Sequence, residues 1–451
     1  MERERLGSRL GFILLAAGCA IGLGSFWKFP YMVGQYGGGA FVLLYIFFLV
    51  ILGIPLLSME LSLGRASQRS PARMYEPLTP EGSKWRLHSL LCIAGPYLLM
   101  SFYAVITGWI LRYAVSAVMG DFSGLDPSEV SGFYHDLAGD PVMTVGFTLL
   151  VVVLGFLVCS LGLSGGLERI TKWMMLALLG IMAFMVVCAF AMPGAGEGLR
   201  FYLVPDFDRM MEQGVLKVIM AAMSQAFFTL SIGIGSMAVF GSYIGKERRL
   251  FGESTFISVL NLVVSLMAGL IIFPACFSYG VPVGVGPSLI FETLPNVFNN
   301  LFGGSVLGVL FFILMAFAAL STIFAVFEAI VSNTIEITGW GRRRACALNI
   351  PIMCILILPS ALGFSILSGI EPLGPGSTIL DLCDLILSQV MLPLGSIMIV
   401  LFCVNRRGWG WGSFMSEVNT GEGLAFPACL RTYMTYIVPA LIIVLFVTGL
   451  M

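Results

Sequence analysis

A glycine-rich stretch near the start of the chain has the composition of a binding site inside a membrane helix. Residues 16–30 read AAGCAIGLGSFWKFP, an apolar run with glycines at its centre and a lysine and a proline at its end. A glycine in a helix interior costs about 1 kcal/mol relative to alanine, and non-helical backbone at membrane depth occurs only where it is buried in protein or lines a watery cavity. The stretch therefore predicts a helix that is interrupted near the middle of the membrane.

A second stretch repeats this pattern later in the chain. Residues 231–241 read SIGIGSMAVFG, so the segment IGLGS at 21–25 is matched by IGIGS at 232–236. Paired interruptions in corresponding positions of two halves are a sequence sign of a transporter binding site. For either stretch alone, close packing of helices through small residues is the alternative explanation, and the pair favours two broken helices.

A broken helix can bind ions and a zwitterion with its backbone. Its second half begins with free N–H groups, which suit a carboxylate, and its first half ends in free carbonyls, which suit Na+ or an ammonium group. A hard cation prefers several oxygen ligands, and hydroxyl and amide side chains occur on the predicted helices around the breaks. These are Ser25, Thr229, Ser231, Asn261, Ser321 and Thr322. Taken singly, each of them is more simply explained as a helix-packing residue.

Four carboxylates lie within or near the ends of apolar segments. Glu60 is the deepest, and Asp381, Asp384 and Glu328 lie nearer the ends. An ionisable group at the membrane centre costs about 2.5–3.5 kcal/mol on insertion scales and is a functional candidate by default. For Glu60, a structural role in capping backbone groups is an equally good alternative.

The composition indicates a membrane protein. The chain has 451 residues, of which 58% are hydrophobic and 11% charged, and its apolar runs have the roughly 20 residues that cross a bilayer. Eleven spans are predicted, at residues 10–35, 39–64, 89–119, 143–161, 168–190, 215–244, 254–280, 305–338, 345–363, 379–404 and 432–450. No GxxxxGK[ST] motif occurs, so solute movement must use ion gradients or run downhill. The ten cysteines and two histidines show no metal-ligand spacing, and nothing indicates a nucleic-acid partner.

Lysine and arginine are distributed unevenly between the two sides of the predicted spans. With a cytoplasmic N-terminus, most of them fall in inside segments, including all three arginines at 342–344. The outside loops keep five: Lys28, Arg112, Arg200, Arg209 and Lys217. The positive-inside rule therefore predicts a multi-pass protein of the cell membrane with its N-terminus inside. We expect no cleavable signal peptide, because the charged start runs directly into the first span.

Longer motifs cover nearly the whole chain. They read RLGFILLAAGCAIGLGSFWKFPYMVGQYGGGAFVLLY, GIPLLSMELSLGR, SQAFFTLSIGIGSMAVFGSY, FAALSTIFAVFEAIVSNTIE and ILDLCD. Together they resemble the neurotransmitter:sodium symporter (solute carrier 6-like) family, especially its bacterial amino-acid transporters of LeuT type. The resemblance implies an all-α membrane protein with a 5+5 inverted repeat, broken helices 1 and 6, and eleven transmembrane helices. The first repeat would occupy residues 1–190, the inverted second repeat residues 191–404, and a loop with helix 11 residues 405–451.

The resemblance implies one or two sodium sites. One would use backbone oxygens of three residues and two hydroxyls: Gly18, Ile21, Ala318, Ser321 and Thr322. The other would use the Ala20 carbonyl with Ser25, Thr229 and Asn261, completed by the substrate carboxylate. Ser25 stands where the family usually has an asparagine, and its shorter side chain leaves both one and two sodium ions open as stoichiometries.

The resemblance also implies an amino-acid substrate. Its carboxylate would lie on the N–H groups of Leu23 and Gly24 beside the Tyr103 hydroxyl. Because Gly22 supplies no carboxylate from the protein, a substrate that carries its own carboxylate is favoured. The whole substrate site would comprise Ala20, Gly22, Leu23, Gly24, Leu99, Tyr103, Phe228, Thr229, Ser231, Ile234, Thr322 and Val326. This mainly apolar lining predicts a hydrophobic or small neutral amino acid.

Chloride and two gates complete the implied machinery. The chloride ligands would be Tyr45, Gln225, Thr229, Asn261 and Ser265. No acidic residue lies between Gln225 and Tyr243 or between Asn261 and Phe273. Chloride would therefore balance the sodium charge, with Glu60 as the alternative source of negative charge. The outer gate would be the ion pair Lys28–Asp384, and the inner gate Arg3–Glu336 near Tyr243. Lys28 replaces the usual arginine, which turns a two-point clamp into a single contact.

The sequence thus predicts a secondary transporter that couples sodium entry to uptake of a neutral, hydrophobic amino acid, with or without chloride. A proton-coupled carrier of the same architecture and a transport-dead amino-acid sensor are the alternatives. An enzyme is disfavoured, since no nucleophile and base pair or metal cluster is apparent. No feature indicates an oligomeric state.

Overall fold

The computed structural model describes residues 4–280, 288–299 and 303–449, and within these ranges the regular secondary structure is helical. The helices in chain order are α1 (Arg9–Ala20), α2 (Gly24–Gln35), α3 (Gly39–Ser67), α4 (Lys84–Met119), α5 (Pro127–Gly139), α6 (Pro141–Ser160), α7 (Leu163–Phe190), α8 (Ala195–Leu203), α9 (Phe207–Gln213), α10 (Val215–Thr229), α11 (Ser236–Gly241), α12 (Leu250–Ser278), α13 (Leu294–Asn299), α14 (Gly304–Thr338), α15 (Arg342–Leu362), α16 (Ile379–Val404), α17 (Trp411–Val418) and α18 (Ala428–Gly449). In the described ranges, nine of these are long and apolar enough to cross a bilayer unbroken.

The first predicted span is broken. Helices α1 and α2 together have the length and composition of one span, but they are bent by 55° at the break. The last backbone bond of α1 runs from the Ile21 N–H to the Ala17 carbonyl, and the chain resumes a helical course at Gly24. The glycine pattern of the sequence correctly predicted this interruption.

The second predicted break lies between α10 and α11. Residues 230–235 leave the helical path, and Ser231, Gly233 and Gly235 all have positive φ angles, of 50°, 102° and 81°. Gly233 also lies against the backbone of α16, where a Cβ would overlap the Leu392 carbonyl. Glycine is therefore required here both by backbone conformation and by close approach.

The remaining helices follow the predicted spans with small shifts at their ends. Short helices fill the connections, and local sequence signals explain their bounds. Asp126 caps α5 and Asp140 caps α6, each with a proline at the next position, which is the usual order of residues at a helix start. In the centre, the long helices α4 and α14 pack along each other and line the two breaks.

The molecule has two polar ends separated by the helices. We call the end that carries Lys28 and Asp384 the upper end, and the end that carries Arg65 and Arg342 the lower end. At the lower end the fully buried Arg65 guanidinium binds the Glu417 carboxylate at 2.6 Å and also donates to the Arg248 carbonyl. This contact ties α3 to α17 and to the segment that precedes α12.

Candidate functional site

The first break presents a backbone donor to the centre of the molecule. The Leu23 N–H donates to the Tyr103 hydroxyl at 3.0 Å, and both residues are buried. A Cβ at Gly22 would overlap the hydroxyls of Tyr103 and Thr322, so no side chain can occupy this position. A glycine here keeps the donor side of the break open to an external carboxylate.

A small cavity lies between the two breaks. It is lined by ten of the predicted substrate residues, namely Ala20, Gly22, Leu23, Gly24, Leu99, Tyr103, Phe228, Ser231, Ile234 and Thr322. Two others do not line it: Val326 is fully buried within α14, and Thr229 lies among polar neighbours. The cavity measures about 20 Å³, which is room for one water-sized molecule. An amino-acid side chain can therefore enter only if the lining moves.

Oxygen atoms of α1 and α14 converge below this cavity. The Ser321 hydroxyl lies 3.2 Å from the Gly18 carbonyl and 2.9 Å from the Ala318 carbonyl, and the Thr322 hydroxyl lies 3.0 Å from the Gly18 carbonyl. All four residues are buried. Ile21, the fifth predicted member, lies in the break itself. Neutral oxygens grouped in this way are the ligands that a hard monovalent cation prefers.

A second group of polar side chains links α2, α12, α3 and α10. The Ser25 hydroxyl donates to the Asn261 amide oxygen at 2.8 Å, and the Asn261 amide nitrogen donates to the Tyr45 hydroxyl at 3.2 Å. Tyr45 is in turn 3.2 Å from the Thr229 hydroxyl. Ala20 lines the central cavity. The structure thus connects three of the residues predicted for the other sodium site, Ser25, Asn261 and Thr229, through the predicted chloride ligand Tyr45.

Two polar atoms beside this group have no hydrogen-bond partner in the described ranges. These are the Ser265 hydroxyl and the side-chain oxygen of Gln225, both buried. The Gln225 amide nitrogen instead donates to the Gly24 carbonyl at 2.8 Å. A buried hydroxyl without a partner costs free energy that a bound ion would recover, and the hydroxyls of Ser265 and Tyr45 are donors of the kind that bind an anion. These two hydroxyls therefore fit a chloride ion, whereas the unpaired Gln225 oxygen is an acceptor and does not.

Glu60 lies at the second break. Its carboxylate is fully buried and accepts hydrogen bonds from the Gly233 N–H at 2.8 Å and the Met237 N–H at 3.2 Å. These N–H groups lose their helical partners because the helix is interrupted between Thr229 and Ser236, and the carboxylate replaces those partners. Of the two roles considered from the sequence, the structure shows the capping one.

The predicted outer pair closes the upper side of the site. The Lys28 ammonium lies 3.1 Å from an Asp384 carboxylate oxygen and 4.0 Å from the centroid of the Phe228 ring. Above the two breaks, a cavity of about 270 Å³ is separated from the small central one by Tyr103 and Phe228, which line both. The pair and the two rings thus lie in series between the centre and the upper end.

Several charged contacts lie at the lower side in the part of the chain that the structure describes. Arg3 lies outside the described residues, so the Arg3–Glu336 pair stays a prediction. In the described part, Glu336 binds the Arg69 guanidinium at 2.7 Å, which raises the pKa of that guanidinium above its ordinary value. Tyr243 donates to the Glu328 carboxylate at 2.6 Å.

Glu328 is also the centre of a buried charge group. Arg342 binds Glu328 at 2.5 Å and Glu4 at 2.9 Å, so α14, the start of α15 and the segment before α1 are held together. The sequence marked Glu328 as a carboxylate near the end of an apolar segment but gave no partner for it. Its partner Arg342 lies only fourteen residues later, at the start of the next long helix, and this short separation is the signal that could have identified the pair.

Three residues of the central cavity were also missed by sequence reasoning. Cys19 lies in the last turn of α1, Leu387 lies in the π-helical turn Ile386–Met391 of α16, and Leu392 follows that turn directly. All three are apolar or weakly polar and extend the hydrophobic lining. Their types match any buried helix residue, so only the packing of α16 against the breaks shows that they face the site.

Two adjacent broken helices, buried oxygen clusters at the breaks and closures on either side define a secondary active transporter with a central site. The chain belongs to the sodium:neurotransmitter symporter family, whose model matches residues 3–123 and 137–451. Members of this family are transporters and not enzymes.

Individual relatives support the same assignment. The sodium-dependent transporter YhdH of Bacillus subtilis is 35% identical over 97% of this chain and 96% of its own length. The sodium-dependent serotonin transporter of Drosophila melanogaster is 24% identical over 100% of this chain and 76% of its own length. Among solved structures, MhsT in complex with L-phenylalanine has a TM-score of 0.90 and 34% identity, covering 99% of this chain and 100% of that chain. The LeuT-type fold predicted from the motifs is confirmed.

Proposed function

We propose that the chain couples sodium entry to the uptake of a neutral, hydrophobic amino acid. The observation that carries this proposal is the first break: the Leu23 N–H and the Tyr103 hydroxyl are positioned for a carboxylate, and Gly22 leaves no room for a side chain of the protein's own. Leu99, Ile234 and the other aliphatic lining residues would contact the substrate side chain. The L-phenylalanine bound to the similar MhsT supports this substrate class.

Sodium would bind at the two oxygen groups. The group around Ser321 and Thr322 joins α1 to α14, so an ion there would hold these helices together. The group around Ser25 and Asn261 lies beside the substrate carboxylate, so an ion there would link sodium binding to substrate binding. Chloride would bind at Tyr45 and Ser265, with the Glu60 carboxylate at the second break as the alternative source of balancing negative charge.

Transport would follow alternating access within the inverted repeats of residues 1–190 and 191–404. In this arrangement the upper end faces the outside and the lower end, with most of the arginines, faces the cytoplasm. Release of Lys28 from Asp384 would open the outer path. Release of the contacts among Glu328, Arg342 and Tyr243 would open the inner path.

The substrate class can be tested by competition. Uptake of labelled leucine into proteoliposomes under an inward sodium gradient is measured against a panel of unlabelled amino acids. We expect hydrophobic amino acids to compete and charged ones or decarboxylated amines not to compete. Competition by amines at the same concentration would contradict the proposed role of Leu23 and Tyr103. Uptake that follows a proton gradient and ignores sodium would instead favour a proton-coupled carrier, and sodium-dependent binding without uptake would favour a sensor.

A further inference from the structure

A groove at the upper end lies outside the central site. It has a volume of about 720 Å³ and is enclosed by α2, α10, α16 and α18. This volume is within the roughly 300–1,000 Å³ that encloses one small organic ligand. The groove shares Lys28 with the cavity above the central site, so this lysine forms part of the wall between the two spaces.

The lining combines an apolar wall with positive charge. Met32, Met220 and Leu445 provide aliphatic surface, and Lys217 provides an ammonium group. Lys28 also lines the groove, with its ammonium group paired to Asp384. The groove residues include no aspartate or glutamate. Across residues 4–280, 288–299 and 303–449, Lys217 has no carboxylate within ion-pair distance, and its ammonium lies 5.8 Å from the centroid of the Tyr36 ring. The groove is therefore complementary to an anion that carries an apolar chain.

Two further features favour an anionic ligand. Helix α10 begins at the mouth of the groove after Gly214, which offers no side-chain cap, so the N–H groups of its first turn and their partial positive charge are left for another partner. Ser224, two turns further along α10, lines the groove, is 91% buried and has no hydrogen-bond partner among the described residues. Its hydroxyl is available to a ligand head group.

We propose that this groove binds a long-chain fatty acid and that the bound carboxylate weakens the outer gate. The apolar chain would lie along Met32, Met220 and Leu445, and the carboxylate would lie between Lys217 and Lys28. A single acyl chain suits the volume of the groove better than a diacyl lipid does. A carboxylate suits Lys28, because this lysine already binds the carboxylate of Asp384.

The consequence for transport follows from the position of Lys28. Its contact with Asp384 is partly exposed, with 23% of the lysine side chain and 33% of the aspartate side chain accessible, so a second carboxylate can compete for the ammonium group. A fatty acid would therefore slow closure of the upper end and lower the maximal transport rate. It would leave the substrate KM unchanged, because the groove does not overlap the central cavity.

The binding step is tested with the purified protein and does not depend on the proposed function. Scintillation proximity binding of tritiated palmitate is measured for the wild type, Lys217→Glu, Met220→Trp and the control Lys246→Ala, whose lysine lies at the lower end near Glu417. We expect at least tenfold weaker binding for Lys217→Glu and Met220→Trp and no change for the control. Methyl palmitate, which has no carboxylate, should fail to compete.

Wild-type affinity in both groove variants would overturn the inference, as would competition by methyl palmitate equal to that of palmitate. Stronger competition by phosphatidylglycerol than by palmitate would overturn the choice of a fatty acid.

The transport step rests on the proposed function. In proteoliposomes, palmitate should lower the maximal rate of the wild type and not that of Met220→Trp. Inhibition of both to the same degree would overturn the link to the gate, whereas absence of uptake without palmitate would refute the proposed function alone.

Discussion

The substitution Ser321→Ala tests the sodium site between α1 and α14. The hydroxyl of this residue lies 3.2 Å from the Gly18 carbonyl and 2.9 Å from the Ala318 carbonyl in a fully buried position. In the proposed site it is one of five oxygen ligands. Alanine removes that oxygen and no other atom that contacts the site, so the variant isolates the contribution of one ligand.

The expected effect can be estimated from the strength of contacts to charged groups. Such hydrogen bonds contribute about 1.5–3 kcal/mol, and about 1.4 kcal/mol corresponds to a tenfold change in an equilibrium constant. Sodium affinity should therefore fall about 10- to 150-fold. At a sodium concentration of about 100 times the wild-type Kd, bound sodium stabilises the fold by about 2.7 kcal/mol, and a 30-fold weaker affinity reduces this to about 0.9 kcal/mol.

The assay is thermal unfolding of the purified protein, titrated with sodium chloride at constant ionic strength with potassium chloride. The matched control is Ser62→Ala, which removes an equally buried hydroxyl that bonds only to the Ser58 carbonyl of its own helix. We expect the control to shift the midpoint equally at all sodium concentrations. A Ser321→Ala variant whose sodium dependence stays within twofold of the wild type would refute the ligand assignment.

Three further substitutions test the other parts of the site. Tyr103→Phe removes the acceptor of the Leu23 N–H and should raise the substrate KM about 10- to 150-fold, from a loss of about 1.5–3 kcal/mol. An unchanged KM for leucine uptake would contradict the carboxylate position. Lys28→Arg should strengthen the outer pair with Asp384 by no more than about 1 kcal/mol, because the pair is partly exposed. The uptake rate should therefore change less than fivefold. Complete loss of uptake would show that the pair does more than close the upper end. Ser265→Glu should make uptake independent of chloride, because it supplies a fixed negative charge. The measurement is uptake with chloride replaced by gluconate. Wild-type uptake that is unchanged in gluconate would contradict the proposed chloride site.

The sequence predicted the breaks because their cause is local. Glycines within apolar runs weaken a helix where they stand, and both interruptions lie at the predicted glycines. The ends of the spans were less accurate, since capping and packing extend helices such as α3 by a turn beyond the apolar run. Without the family motifs, composition alone would have given the helices but not their arrangement.

Contacts between distant segments could not be obtained from local rules. Glu60 was recognised as a deep carboxylate, but its partners at Gly233 and Met237 are more than 170 residues away and are free only because the second helix breaks. In the same way, the pairing of Glu328 with Arg342 and Glu4 depends on how three segments meet at the lower end. Residue type marked the candidates, and only the tertiary structure paired them.

The most direct test of the central claim is accumulation of a labelled hydrophobic amino acid in proteoliposomes, with an inward sodium gradient or with potassium in place of sodium. One net charge that moves inward across 100 mV releases about 2.3 kcal/mol, so sodium entry at that potential should concentrate the amino acid well above its external level. We predict sodium-dependent accumulation that is abolished when the gradient is collapsed. Equal uptake in sodium and potassium, at the same pH and potential, would contradict the account.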